Sequence, residues 1–89
     1  MATYAKPKNQ SIKEVAWSLA GAELLREIVG ESPYLSGVRS NPDFISEPDA
    51  IRFGNAINAY ADANPNHENY AWLRNKAKFF LECQGFWQS

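Results

Sequence analysis

Apolar residues recur at helical spacing along most of this 89-residue chain. In the first such segment they fall on two sides of one helix, with Ile12, Val15, Leu19 and Ala22 on one side and Trp17, Gly21, Leu24 and Ile28 on the other. Ser11 and Glu14 have the spacing of a capping box, and Gly30 is typical of a helix end. The pattern therefore predicts a first helix over residues 12–29.

A second helix is predicted after Ser46, where a cap residue is followed by Pro48 and two acids in the first turn. Its apolar positions form a single stripe made of Ala50, Phe53, Ile57, Tyr60 and Ala61. Pro65 disfavours helical backbone at Asn64, so this helix is expected to end there.

A third helix is predicted from Asn66, as its cap, to Gly85, and it also carries two apolar stripes. The first stripe contains Tyr70, Leu73, Ala77, Phe80 and Leu81, and the second contains Trp72, Phe79 and Cys83, interrupted by Lys76. A helix with two apolar sides lies inside its fold or contacts a partner. Both explanations stay open, because other parts of the chain carry enough large side chains to cover the second stripe: Tyr4, Tyr34, Leu35, Val38, Phe44, Ile45, Phe86 and Trp87.

The remaining segments predict no strand, since none sustains a period-two alternation. Residues 1–10 are interpreted as an N-terminal tail, and residues 31–45 as a long, ordered loop. Within that loop, residues 41–44 can form one short helical turn with Asn41 as its cap and Pro42 after it. The predicted fold class is all-α: a compact three-helix bundle, with this short fourth turn as an option, forming a single domain over residues 11–89.

Composition limits the cellular setting. No apolar run approaches the roughly 20 residues that a membrane-spanning helix needs, and the N-terminal segment lacks the apolar core of a secretory signal. The single cysteine, Cys83, excludes an internal disulfide. We therefore expect a cytoplasmic protein that does not contact membranes.

Catalytic chemistry finds little support in the sequence. The one histidine, His67, and Cys83 lie at opposite ends of the predicted third helix, too far apart for a nucleophile and its base. Neither the acids nor the glycines have the spacing of a metal or phosphate site. We expect a protein that is not an enzyme and binds no cofactor.

Nucleic-acid binding is the alternative function. The net charge of −1 is unfavourable for it, but the chain has lysines near its start and a basic third helix. The residues that would contact phosphates are Arg74, Lys78, Lys6 and Lys8.

The leading expectation is a small protein–protein interaction or regulatory module, whose partner is another protein or a second copy in a homodimer. Its predicted contact residues are those of the second stripe with the lysine that interrupts it: Trp72, Lys76, Phe79 and Cys83. Aromatic anchors of this kind are enriched where binding energy concentrates.

Overall fold

A computed structural model describes residues 2–30 and 43–88 of the chain. In chain order its elements are β1 (Ala2–Pro7), β2 (Val15–Ser18), α1 (Leu19–Val29), β3 (Asp43–Ile45), α2 (Glu47–Ala63), α3 (Tyr70–Glu82) and β4 (Phe86–Gln88). The fold is therefore α/β, with three helices and a four-stranded antiparallel sheet. The predicted all-α three-helix bundle is wrong. Each of the three predicted helical regions does contain a helix, but the first and third helices are shorter than predicted.

The sheet joins the two ends of the described chain. Its strand order is β2-β1-β4-β3, and each neighbouring pair is antiparallel. In the central pair, Ala5 of β1 lies opposite Gln88 of β4. The expected N-terminal tail is consequently a central strand.

The segment before α1 is a strand where a helix was predicted. Val15 and Trp17 of β2 both point to the helical side of the sheet, whereas Ala16 and Ser18 are exposed. Helical spacing had placed Val15 and Trp17 on different stripes. The prediction failed because the four residues fit either period, and only pairing with β1 decides between them.

Helix α1 begins seven residues later than predicted because a different serine caps it. Ser18, not Ser11, has the extended cap backbone, and its Oγ accepts a hydrogen bond from the Gly21 N–H at 3.2 Å. The predicted end at Gly30 is confirmed: this residue has φ of 102°, and its N–H donates to the Arg26 carbonyl.

Of the three helices, α2 agrees best with its sequence prediction. Ser46 caps it, with Pro48 in the first turn, and the helix ends before Asn64. Ala50, Phe53, Ile57 and Ala61 of the predicted stripe are buried, and Tyr60 is half-buried.

Helix α3 is shorter than predicted at both ends. It begins at Tyr70, since the residues after Asn66 form turns, and it ends at Glu82. Asn9, in the turn after β1, closes this end: its Nδ2 donates to the Glu82 carbonyl and its backbone N–H to the Cys83 carbonyl, both at 2.9 Å. The same Asn9 side chain accepts hydrogen bonds from the N–H and the Oγ of Ser11.

Strand β3 replaces the end of the predicted loop. Phe44, expected in a loop or a short helical turn, lies instead in a strand paired with β4. The rest of that predicted segment, including Asn41 and Pro42, lies outside the described residues.

The hydrophobic core lies between the helices and one face of the sheet, with Phe80 of α3 near its centre. Its ring centroid lies 5.9 Å from that of Trp17 on β2, 5.9 Å from that of Phe53 on α2 and 5.4 Å from that of Phe86 on β4. Tilted and edge-on pairs at these distances are favourable arrangements for aromatic rings. One buried ring thus connects both layers of the fold.

Candidate interaction surface

The outer face of the sheet, which the helices do not cover, carries exposed aromatic side chains. Tyr4 is 48% exposed, Phe44 is 45% exposed and Trp87 is 40% exposed. Their strand neighbours, such as Ala5, Ile45 and Phe86, point the other way and are buried. We call Tyr4, Phe44, Trp87 and the exposed Lys6 the outer-face patch.

The strand register brings these residues together. Trp87 of β4 lies directly opposite Lys6 of β1 on one side and opposite Phe44 of β3 on the other. The Phe44 and Trp87 rings are in contact, with centroids 5.0 Å apart and planes tilted by 54°. Tyr4 is two residues from Lys6 on the same strand, which places it diagonally across from Trp87. The patch is therefore continuous across three strands.

The Phe44 ring packs against Gly85, in the space that a side chain at position 85 would occupy. A β-carbon at this position would lie 2.6 Å from Phe44 Cζ and 2.9 Å from the Ile45 carbonyl oxygen, and its φ is +97°. A side chain here would therefore be strained and would collide with the patch. The residue predicted to stop the third helix also makes room for Phe44.

The predicted helical contact stripe is mostly internal. Cys83 is fully buried and Phe79 is 5% exposed, because β4 covers this side of α3: the Phe79 and Phe86 ring centroids lie 5.8 Å apart. Among the residues expected to provide cover, Ile45 and Phe86 do so, whereas Tyr4, Phe44 and Trp87 face outward. Tyr34, Leu35 and Val38 lie outside the described residues.

Trp72 and Lys76 occupy the remaining part of that stripe. Trp72 is half-buried beside Gly21, whose missing side chain leaves room for it: a β-carbon there would lie 3.0 Å from Trp72 Cζ2. The Lys76 ammonium lies 5.2 Å from the centroid of the Trp72 ring, a cation–π distance. Burial lowers the pKa of Lys76 below its ordinary value. A shallow groove of about 200 Å³ lies beside Trp72, between the starts of α1 and α3.

The four cations of the nucleic-acid alternative do not gather on one surface. Arg74 is held by α2, since it donates to Asn58 Oδ1 at 2.7 Å and forms an ion pair with Asp62. The hydrogen bond to Asp62, with a second from Arg74 to the Tyr70 hydroxyl, raises the Arg74 pKa. Lys78 is exposed on α3, whereas Lys6 and Lys8 are exposed on and just after β1.

The titratable groups of the described residues form no reactive cluster. Burial raises the pKa of the Cys83 thiol, which donates to the Phe80 carbonyl at 3.5 Å. His67 Nδ1 accepts a hydrogen bond from the Asn69 N–H, and its ring packs on Tyr60. Within residues 2–30 and 43–88, no group of three or more His, Cys, Asp or Glu side chains is placed to hold a metal ion.

No helix in the same residues is long and apolar enough to cross a membrane.

Two buried polar side chains lack hydrogen-bond partners in the described part of the chain. They are the Trp17 indole N–H and both polar atoms of the Gln88 amide, which points into the fold beside the core. Leaving such groups unpaired costs about 1–3 kcal/mol each. Gln88 faces inward while its neighbour Trp87 faces outward, although polar residues usually face solvent and large apolar residues usually face the core.

This reversal explains why the patch escaped sequence-based reasoning. Alternation in β4 puts the polar residue inside and the tryptophan outside, so no amphipathic strand pattern is visible. The available signal was the pair of aromatic residues Phe86 and Trp87 after the last helix. Two adjacent strand residues must face opposite sides of a sheet.

Comparison with known protein families, with curated proteins and with solved structures gave no significant match.

Proposed function

We propose that the chain is a small, non-enzymatic protein-interaction module that contacts another protein through the outer-face patch. The observation that carries the proposal is the continuous aromatic surface formed by Tyr4, Phe44 and Trp87 on the side of the sheet opposite the helices. Tyrosine and tryptophan are enriched where protein partners gain most of their binding energy.

The exposure of these three aromatic side chains favours a binding role. A folded domain of this size has little stability to spare, and exposed aromatic rings add risk of aggregation without adding to the core. The largest apolar patch of a soluble monomer is often functional. The helical stripe is a weaker candidate surface, because Phe79 and Cys83 are buried.

A cytoplasmic location belongs to the same proposal. Its support is the single, buried cysteine, which is compatible with a reducing compartment because the protein needs no internal disulfide.

Selection from a phage-displayed library of short random peptides tests the proposal. Peptides selected on the wild-type protein are then measured against Trp87→Thr, a change that keeps a strand-compatible side chain. The matched control is Ile51→Thr, which removes an exposed apolar side chain from α2, in the helical layer. Circular dichroism establishes that both variants are folded.

We expect Trp87→Thr to weaken peptide binding by about tenfold or more, and Ile51→Thr to leave it unchanged. Equal binding by Trp87→Thr and the wild-type protein contradicts the proposal. A selection that yields no binding peptide contradicts it as well.

A further inference from the structure

We infer that the outer-face patch accepts a short acidic peptide segment, in which carboxylates lie beside an apolar or aromatic side chain. The inference rests on the proposed function, and it specifies the chemistry of the partner. It follows from the charge of the patch and from its size.

Lysines outnumber carboxylates beside the outer-face patch in the described part of the chain. Among strand residues whose side chains the structure describes, Lys6 is the only charged one, and it is exposed. Lys8 is the next exposed position of the same alternation, and its N–H donates to the Gly85 carbonyl at 2.9 Å, so the pairing of β1 with β4 continues to this point. The β1–β2 register, continued by one residue from the Ala5–Val15 pair, places the exposed Glu14 opposite Lys6, and both side chains line one groove. On this side of the described strands, two exposed lysines therefore stand against one carboxylate.

Lys6 places a positive charge next to the aromatic surface. Because Lys6 lies directly opposite Trp87 in the ladder, a group bound to its ammonium is within reach of the Trp87 ring. A partner segment can therefore place a carboxylate on Lys6 and an adjacent apolar side chain on Trp87 and Phe44. Complementary charge of this kind selects the partner and its orientation.

The size of the patch fits a short segment. With about 200 Å² per aromatic side chain, the exposed fractions of Tyr4, Phe44 and Trp87 amount to roughly 300 Å² in all. A stable dimer buries about 800 Å² per partner, so this aromatic surface alone is too small for a second copy of the chain. A few residues of an extended peptide match it.

Single-stranded nucleic acid also stacks on aromatic side chains of sheets, but the charges here favour a peptide. A bound strand presents one phosphate per nucleotide and needs a track of cations. The outer face offers two exposed lysines, Lys6 and Lys8, with Glu14 opposite the first. Arg74 is paired with Asp62, and Lys78 lies in the helical layer.

Two matched peptide libraries test the inference. Alternate positions are fixed as Glu in one library and as Lys in the other, and the remaining positions are random. We expect the wild-type protein to enrich peptides from the Glu library and not from the Lys library. The best Glu peptide and a copy with Gln at every Glu position are then titrated against wild type, Lys6→Gln, Trp87→Thr and the control Lys78→Gln.

The expected result is a loss of about fivefold in affinity for the Glu peptide in Lys6→Gln, with no loss for the Gln copy and none in Lys78→Gln. Binding of the Glu peptide should also weaken as salt is raised. If the Gln copy binds wild type as tightly as the Glu peptide, or if the Lys library is enriched, the inference is wrong. The proposed function survives that result provided Trp87→Thr still weakens binding by about tenfold or more.

Two further outcomes assign the patch to another occupant. Tighter binding of oligo(dT) than of the Glu peptide, lost in Trp87→Thr, overturns the inference in favour of single-stranded nucleic acid and contradicts the proposed function. A dimer in sedimentation analysis that Trp87→Thr converts to a monomer overturns it in favour of a second copy.

Discussion

Gly54 of α2 lies so close to Leu81 of α3 that a β-carbon on the glycine would be 2.7 Å from Leu81 Cγ. The same β-carbon would be 3.0 Å from the carbonyl oxygen of Ala77, a backbone atom that cannot rotate away. Close approach of the two helices at this point therefore requires a residue without a side chain.

Gly54→Ala is consequently expected to destabilise the protein by about 1–2 kcal/mol, since overpacking outweighs a gain of roughly 1 kcal/mol in helix propensity. Chemical denaturation measures the change, with Asn55→Ala as a control at an exposed position of the same helix. If Gly54→Ala stabilises the protein as Asn55→Ala is expected to, the two helices do not pack as described.

The start of α1 gives a second prediction, which separates the observed cap from the one that the sequence suggested. Ser18→Ala should lower the free energy of unfolding by about 1 kcal/mol, because the hydrogen bond from the Gly21 N–H to Ser18 Oγ is lost. Glu14→Ala should change it by less than about 0.5 kcal/mol, since Glu14 precedes the strand and takes part in no capping box. A larger loss of stability in Glu14→Ala than in Ser18→Ala would instead indicate a helix that begins near Ser11.

Gln88→Met should raise the thermal midpoint. The substitution removes a fully buried amide whose polar atoms have no partner in the described residues, and it inserts an apolar side chain of similar length. We expect a gain of about 1–2 kcal/mol, against no gain for Gln10→Met at an exposed turn position. A lower midpoint for Gln88→Met would show that the amide has a stabilising partner.

Cys83 supplies a pH-dependent prediction. Burial raises the pKa of its thiol in the folded protein, so the thiolate is favoured in the unfolded chain. The stabilisation from this group is complete below the unfolded pKa of about 8.5, and it is lost as the pH rises towards the raised folded value. Cys83→Ala lacks the effect.

The difference in thermal midpoint between the wild type and Cys83→Ala should therefore shrink as the pH rises from about 7 to about 10. A thiol reagent should also react with the folded wild-type protein far more slowly than with the unfolded chain, because the sulfur is buried. A constant difference in midpoint together with rapid labelling of the folded protein would place the thiol at the surface.

Local signals predicted α2 and the end of α1 well. Ser46, Pro48 and Gly30 act on the backbone within a few residues, so their effect is readable without knowledge of the fold. Strand β1 is different, because its pairing depends on residues at the other end of the chain, such as Gln88 opposite Ala5.

The outer-face patch could not be predicted for a related reason. In β1 the small residues Thr3 and Ala5 face the core, while Tyr4 faces outward. This arrangement inverts the pattern by which a half-buried strand is recognised. Without a visible strand, the sequence offers these aromatic residues only as optional cover for the second stripe of the third helix, and it predicts the candidate surface on that helix.

The three tryptophans allow the most direct test of where the protein binds, because each lies in a different region of the fold. Trp87 lies on the outer face of the sheet, Trp17 is in the core and Trp72 lies beside the groove between α1 and α3. Their indole N–H signals can be followed by NMR during titration with a peptide selected on the wild-type protein. We predict that the Trp87 signal shifts most, while the Trp17 and Trp72 signals stay nearly unchanged. A dominant shift of the Trp72 signal, with Trp87 unaffected, would contradict the assignment of binding to the outer-face patch.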